Sequence, residues 1–289
     1  MNRRMFAFGA LFGGVGALGL TGWAGWRGWA GNPQSALLEE VRLALPEGHA
    51  GLAGLTIGFV ADTHVGPFVT QDDAARAMAL LEARQPDLIL LGGDYISDSP
   101  RYAEPAAEVL GELARRAPLG AIAVLGNHDV GERGRERVVV AALERVGIRV
   151  LRNEAAAVDT DRGRLWIAGV NEAIMADADP AATFAAIPPE AAALALWHEP
   201  DYADETAALG AFAQLSGHSH GGQVRFPIIG PVVLPAGGRR YVIGMNDADG
   251  MPVYTTRGVG VFLPPLRINC PPEVTLVTLT AGGDGGNVA

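Results

Sequence analysis

From Leu55 onward the chain alternates short apolar runs with longer Ala-rich stretches. The runs at 55–61, 88–92 and 121–125 read as buried strands, each followed by a segment of helical period. The first such segment is Thr70–Glu82. Thr70 stands where a cap belongs, Asp73 follows at the third helical position, and Ala74, Met78 and Leu81 share a face. Helices are also expected over 102–116 and, entered through glycines, over 134–146. This alternation predicts a sheet covered by helices.

The second half has a different rhythm. Strands are expected at 155–160 and 164–170, joined by a hairpin turn at Asp161–Gly163, then at 192–197, 211–215, 241–243, 252–256 and 273–279. No long polar linker divides the halves, so a second sheet packed on the first accounts for them better than a separate domain. The Pro-rich stretches 227–235 and 264–272 read as rigid loops. Residues 31–51 form a lead-in with an edge strand near Val41–Leu45. One domain then runs over 52–280, and 281–289 is a flexible, Gly-rich tail.

The N-terminus carries its own signal. Arg3 and Arg4 precede an uncharged stretch from Met5 to Trp26, whose 22 residues could span a bilayer. The arginines would stay on the cytoplasmic side and send the remainder across. NRRMF resembles the twin-arginine signal read by the bacterial export machinery. Gly28 and Ala30 offer a cleavage site, as do Gly22 and Ala24. Residues 1–30 are therefore read as a signal peptide or a retained anchor, with membrane association through 5–26. The expected location is extracytoplasmic or periplasmic. A buried helix of the domain is the bland alternative.

The 289 residues are 49% hydrophobic and 19% charged, which excludes a chain disordered throughout. Acidic residues exceed basic ones by 32 to 22, and no basic block appears, so a nucleic-acid scaffold is not the expected partner. The single Cys270 excludes an internal disulfide and any multi-cysteine metal site.

Chemistry concentrates in five short segments. These are ADTH with Asp62 and His64, GGD with Asp94, GNHD with Asn127, His128 and Asp129, WHEPD with His198, and GHSHGG with His218 and His220. Each lies at or just beyond the end of an expected strand, where sheets gather their loops at one edge. Singly, each motif reads as a turn or a satisfied side chain; together they read as a site. Glycine before Asp94, Asn127 and His218 allows a tight turn or close backbone approach. His49 lies outside the pattern. Imidazole, carboxylate and amide donors without thiolate suit divalent Mn, Fe, Co, Ni or Zn. The donors exceed one tetrahedral ion's needs, so Asp94 is expected to bridge two ions through its two oxygens. Two divalent ions, two carboxylates and a bridging hydroxide leave about +1, which attracts an anion, and such pairs suit in-line displacement at phosphorus.

DTH, GGD, GNHD, WH and GHSHGGQ, in this order, resemble the calcineurin-like metallophosphoesterase family. The N-terminal signal, GHSHGGQVRFP and the later TTRGVG resemble, more narrowly, the bacterial YkuE/YaeI-type membrane-associated phosphodiesterases. ADTH departs from the usual Ser before the Asp and Ile or Leu after it, without losing a ligand. The resemblance implies a four-layer α/β/β/α sandwich with two mixed sheets and a dinuclear centre at the C-terminal strand edges. It implies one ion on Asp62, His64, Asp94 and His220, and the other on Asp94, Asn127, His198 and His218. It does not choose among Mn, Fe and Zn. His128 would stay off both, contacting phosphate or serving the leaving group, with Asp129 holding its orientation.

Arg257 is a candidate phosphate contact, against an ordinary ion pair. Asp98 reads as a solvated loop carboxylate, and Tyr95 as a pocket wall. The expected activity is hydrolysis of a small-molecule or lipid phosphodiester by a metal-bridging hydroxide, with His128 as proton donor. Phosphomonoesterase and envelope lipid pyrophosphatase are the alternatives within that chemistry. A noncatalytic metal-binding envelope protein is the alternative of another class, separable by metal content and turnover of an aryl diester.

Overall fold

The computed structural model describes residues 36–131 and 134–282. The N-terminal segment and the end of the tail lie outside them. No helix among the described residues is long and apolar enough to cross a membrane.

One six-stranded sheet contains β1 (Leu37–Ala44), β2 (Thr56–Val60), β3 (Leu88–Leu91), β4 (Ala121–Ala123), β5 (Ile148–Val150) and the last strand, β14 (Glu273–Thr280). Its order is β1-β14-β2-β3-β4-β5, parallel throughout except where β14 meets β2. Both faces are apolar because alternate residues serve different layers. Ile57, Phe59, Leu88 and Leu90 face the second sheet, whereas Val60, Ile89 and Leu91 face the helices. Those helices are α1 (Gln71–Glu82), α2 (Ala103–Ala114) and α3 (Arg135–Arg145). Thr70 and Asp73 form a reciprocal capping box at the start of α1, which buries Ala74, Met78 and Leu81 as its period requires.

The second sheet runs β12 (Gly244–Ala248), β13 (Met251–Thr255), β9 (Ala213–Ser216), β8 (Ala193–Leu196), β7 (Gly163–Gly169), β6 (Glu154–Thr160). Its inner face sends Leu165, Ile167, Leu194, Leu196 and Leu215 against the first sheet. Its outer face carries Ala168, Ala193 and Ala195, whose small side chains let Phe184 of α4 (Pro180–Ala185) and Ala203 of α5 (Ala203–Ala208) pack close. The result is four layers, α/β/β/α. A small hairpin, β10 (Arg225–Phe226) with β11 (Gly230–Pro231), stands apart from both sheets.

The structure differs from the sequence reading at named places. The edge strand begins at Leu37 and pairs in register with β14. The strand expected at 241–243 lies instead at Gly244–Ala248, because the turn at Asp249–Gly250 sets its register against β13. Strand 273–280 leaves the second-half sheet and inserts between β1 and β2. β5 and the short helices α4 and α5 were not expected; α4 announces itself only by Asp179, whose side chain caps it, and Pro180 at its first position.

Candidate metal centre

β2, β3 and β4 lie side by side and parallel, as do β8 and β9, so their C-terminal loops share one edge of the molecule. The loops after β2 and β3 zip together: Asp62 N donates to Gly93 O (2.9 Å), His64 N to Asp94 O (3.1 Å) and Val65 N to Tyr95 O (2.9 Å). The sheets meet through Asp62, whose Oδ1 accepts His218 N–H at 3.0 Å across 156 residues of sequence.

The ligand candidates share an unusual backbone. Asp62, His64, Asp94, His218 and His220 have φ of 53°, 44°, 56°, 67° and 51°. This left-handed region costs an L-residue roughly 1–2 kcal/mol, and Asp and His are among the side chains that enter it most readily. Each turn there swings a side chain off the end of its strand and inward. Glycine supplies the space: a Cβ on Gly126 would lie 2.2 Å from Asp94 Oδ1, and one on Gly217 2.4 Å from Asp62 Oδ2.

Three overlapping groups result, each with donor atoms within 4.8 Å of one another: Asp62, His64 and His220; Asp94, His198 and His218; and His64, Asp94 and His128. The donor set fits divalent ions on several counts. His64 Nε2 and His220 Nε2 face each other at 3.1 Å in a buried site. His198 donates Nδ1–H to Gly92 O at 2.6 Å, leaving a buried Nε2 without a hydrogen-bond partner, 3.2 Å from Asp94 Oδ2. His218 donates Nε2–H to Ala236 O at 2.7 Å, which frees Nδ1. Asn127 Oδ1 is buried and unpartnered. Each imidazole thus has one nitrogen fixed or buried behind it and one aimed at its cluster, the arrangement by which outer partners orient metal ligands.

Electrostatics asks for cations here. Burial pushes His64 down to about 3 and His218 down to about 4, keeping both neutral and able to donate lone pairs. Burial pushes Asp62 up to about 7, opposed by His198 and assisted by Asp94. Burial alone would raise Asp94 and lower His198. Their mutual attraction reverses both, holding Asp94 well below and His198 well above its ordinary value. The buried pair demands a positive charge between its members, a place a divalent ion takes in exchange for the proton.

Asp94 joins the clusters through one oxygen, not two. Oδ2 lies 3.2 Å from His198 Nε2 and 3.5 Å from His64 Nε2, while Oδ1 accepts His128 N–H at 2.8 Å. The His128 ring stands edge-on to His64, centroids 4.8 Å apart.

Asp129 does not orient His128. Its buried carboxylate accepts N–H groups of Asp94 (2.7 Å), Gly126 (3.0 Å), Tyr95 (2.9 Å) and Ile96 (3.4 Å), tying two ligand loops together. The residue facing His128 Nδ1 is Asp98, at 2.8 Å. Arg135 braces the pair, 3.1 Å from His128 O and 3.7 Å from Asp98 Oδ1. Arg257 pairs with Glu39 on β1 and Glu273 on β14, the ordinary ion pair rather than a phosphate contact. Tyr95 is fully buried beneath the loops, its hydroxyl donating to backbone carbonyls (Leu91 O, 2.9 Å; Val124 O, 2.5 Å), so it is no pocket wall. Cys270 is buried, and His49 makes a surface bond to Glu190 O.

Two residues were given no role from the sequence, although Gln223 closes the GHSHGGQ motif. Arg267 is buried and donates to the carbonyls of Arg257, Gly258, Gly260 and Cys270, folding that loop around itself behind His220. Gln223 holds the neighbouring loop by accepting Phe262 N–H (2.8 Å) and donating to Phe262 O (2.9 Å) and Pro264 O (2.7 Å).

The profile of the family described as calcineurin-like phosphoesterase matches residues 55–222. A Bacillus subtilis protein, the uncharacterized metallophosphoesterase YkuE, is 31% identical over 230 residues, covering 79% of this chain and 80% of its own. The phosphodiesterase YaeI of Escherichia coli is 37% identical over 230 residues, covering 78% of this chain and 83% of its own. Among solved structures, the phosphopantetheinyl hydrolase of Mycobacterium tuberculosis aligns with a TM-score of 0.46 at 13% identity, over 72% of this chain and 91% of that one. The matched segment opens just before β2 and closes on the loop of His218 and His220, so it holds every residue of the three donor groups. A buried two-ion donor set inside that match makes the assignment plain: the chain belongs to the calcineurin-like phosphoesterase family and is a metal-dependent phosphoester hydrolase.

Proposed function

We propose that the preferred ester is a phosphodiester and that His128 protonates its leaving oxygen. The observation that carries this reading is an imidazole fastened at Nδ1 by Asp98 while its ring borders the buried Asp/His clusters. Two divalent ions held by those clusters would supply Lewis acidity toward the phosphoryl oxygens and activate a water. Asp62 and Asp94 offset part of their charge. His128, the least buried of the clustered imidazoles, is the one placed to exchange a proton with substrate.

Diester preference is supported by where guanidiniums near the site are used, Arg101 on the neighbouring groove lying against Tyr102. Arg257 is spent on two glutamates, Arg267 on four carbonyls, and Arg135 on His128 O and Asp98. A dianionic monoester gains from such cations, whereas a monoanionic diester does with the metals alone. The name of the E. coli relative supports the same choice. Protein loaded with Mn, Fe or Zn should hydrolyse bis(4-nitrophenyl) phosphate faster than 4-nitrophenyl phosphate. The reverse order points to a monoesterase, and two bound ions with no turnover point to a noncatalytic binder.

We also propose that the domain works outside the cytoplasm, at the membrane. The motivation is Arg3 and Arg4 before the uncharged Met5–Trp26 stretch. Support comes from bare aliphatic side chains on and after the β10–β11 hairpin: Ile228, Ile229 and Val233 are at least three-quarters exposed, an apolar projection that suits a bilayer face. Protease added to intact cells or spheroplasts should digest the domain; a protected cytoplasmic domain overturns this placement. Sequencing the mature N-terminus separates cleavage near Ala30 from a retained anchor.

A further inference from the structure

A groove of about 270 Å³ opens beside His128, walled by Phe68, Tyr102, Phe262 and Leu263, with Asp98 on its lining. The Phe262 ring lies 4.8 Å from the His128 ring and 6.3 Å from that of His64, so the apolar wall begins where the proton donor ends. Phe68, Phe262 and Leu263 are each more than two-fifths exposed. Solvent-facing phenyl and leucyl groups bordering a polar centre are costly to leave bare and mark a binding surface. This wall is held in place: Gln223 grips Phe262 and Pro264 through three hydrogen bonds, and Ser97 Oγ on the opposite side donates to His64 O at 3.0 Å. Its volume falls below that of sites enclosing whole drug-sized ligands, so it suits part of a substrate.

We propose that this groove binds an apolar group carried by the leaving alcohol, so that the substrate is an amphiphilic phosphodiester whose apolar side departs past His128. The inference rests on His128 as the proton donor, because the departing oxygen must lie on the donor's side of phosphorus. Hydrolysis then puts the apolar alcohol in the groove and forms a phosphomonoester, water supplying the oxygen added to phosphorus, His128 the proton added to the alcohol, and a proton from that water restoring His128.

The test uses methyl 4-acylphenyl phosphates with acyl chains of two, four and eight carbons, below their micellar concentrations. Para-acyl phenols keep nearly the same leaving-group pKa while their apolar length changes. A fully buried methylene is worth about fourfold. In a half-open groove, kcat/KM should therefore rise by roughly tenfold or more from two to eight carbons. Phe68→Ser and Leu263→Ser should each flatten that ratio, which is internal to each variant and insensitive to a partly unfolded preparation. Hydrolysis of the two-carbon ester with no gain from chain length overturns the groove and leaves the diesterase reading standing. A gain untouched by both substitutions puts the apolar subsite elsewhere and also overturns it. No hydrolysis of any member, with both ions bound, brings down the diesterase reading and this proposal with it.

Discussion

Asp94→Asn should lose metal from both positions and slow hydrolysis by at least about 10³-fold, the equivalent of the several kcal/mol of charge stabilisation that such ions provide. The geometry leaves the amide no good orientation. Oδ1 accepts His128 N–H, and Oδ2 faces His64 and His198. If the amide keeps its oxygen on His128, its NH₂ points donors at the ions. If it flips, the oxygen reaches the ions but the NH₂ meets the His128 N–H. His198→Ala touches one donor group, and His64→Ala touches the two that share His64 but not that of His198, so each should impair one ion more than the other. Metal content of the three purified variants, with folding checked by circular dichroism, tests this. Two fully occupied positions in Asp94→Asn would show that Asp94 is not the shared ligand.

His128→Ala should keep both ions and lose on the order of 10²–10⁴-fold in kcat on a diester with a poor alkyl leaving group. An aryl leaving group needs less protonation, so its loss should be smaller. Asp98→Asn should reproduce that leaving-group dependence in milder form, because the amide holds Nδ1 less well and Asp98 acts only through His128. Asp129→Asn should behave differently. Its carboxylate bonds backbone of the Asp94 and Asn127 loops, so its loss should weaken metal retention and fall alike on both substrates. The measurement is kcat on paired diesters after two ions per chain are confirmed. Equal losses on both substrates in His128→Ala would reject proton donation in favour of phosphate positioning. A lost ion would make His128 a ligand.

The contrast between Asp98 and Asp129 shows what a sequence carries and what it withholds. Six of the seven ligand candidates meet in the donor groups, and they were legible because strongly polar residues at strand ends are chemically conspicuous and parallel strands bring such ends together whatever their separation. Orientation within a loop was not legible. Asp129 adjoins His128, yet the helical turn at Asn127–Val130 directs its carboxylate back onto backbone N–H groups. Asp98 is thirty residues away, and a left-handed φ of 48° accompanies its turn toward the imidazole. Arg257 stayed open between phosphate contact and ion pair for a related reason. The ion-pair alternative could not name its partners from the sequence, because the carboxylates sit 218 residues before Arg257, on β1, and on β14, which sequence period placed in the other sheet. The apolar runs fixed element type well and sheet membership poorly, since a strand buried on both faces looks the same in either layer.

That last strand has a consequence for how the molecule is made. β14 fills the gap between β1 and β2, and among the described residues β1 pairs with no strand but β14. The first sheet therefore cannot close until residues 273–280 have been synthesised, even though its edge begins at Leu37. Until then β1 is an orphan and β2 presents an open edge, the kind of edge that recruits foreign strands. The Glu39–Arg257–Glu273 ion pairs span the same closure, joining β1 and β14 across a loop of more than two hundred residues. Such long-range pairing makes for slow folding. Residues 273–280 must leave the ribosome before the first sheet can complete its architecture, so the earlier strands have to wait, covered or unpaired, for a partner made long after them.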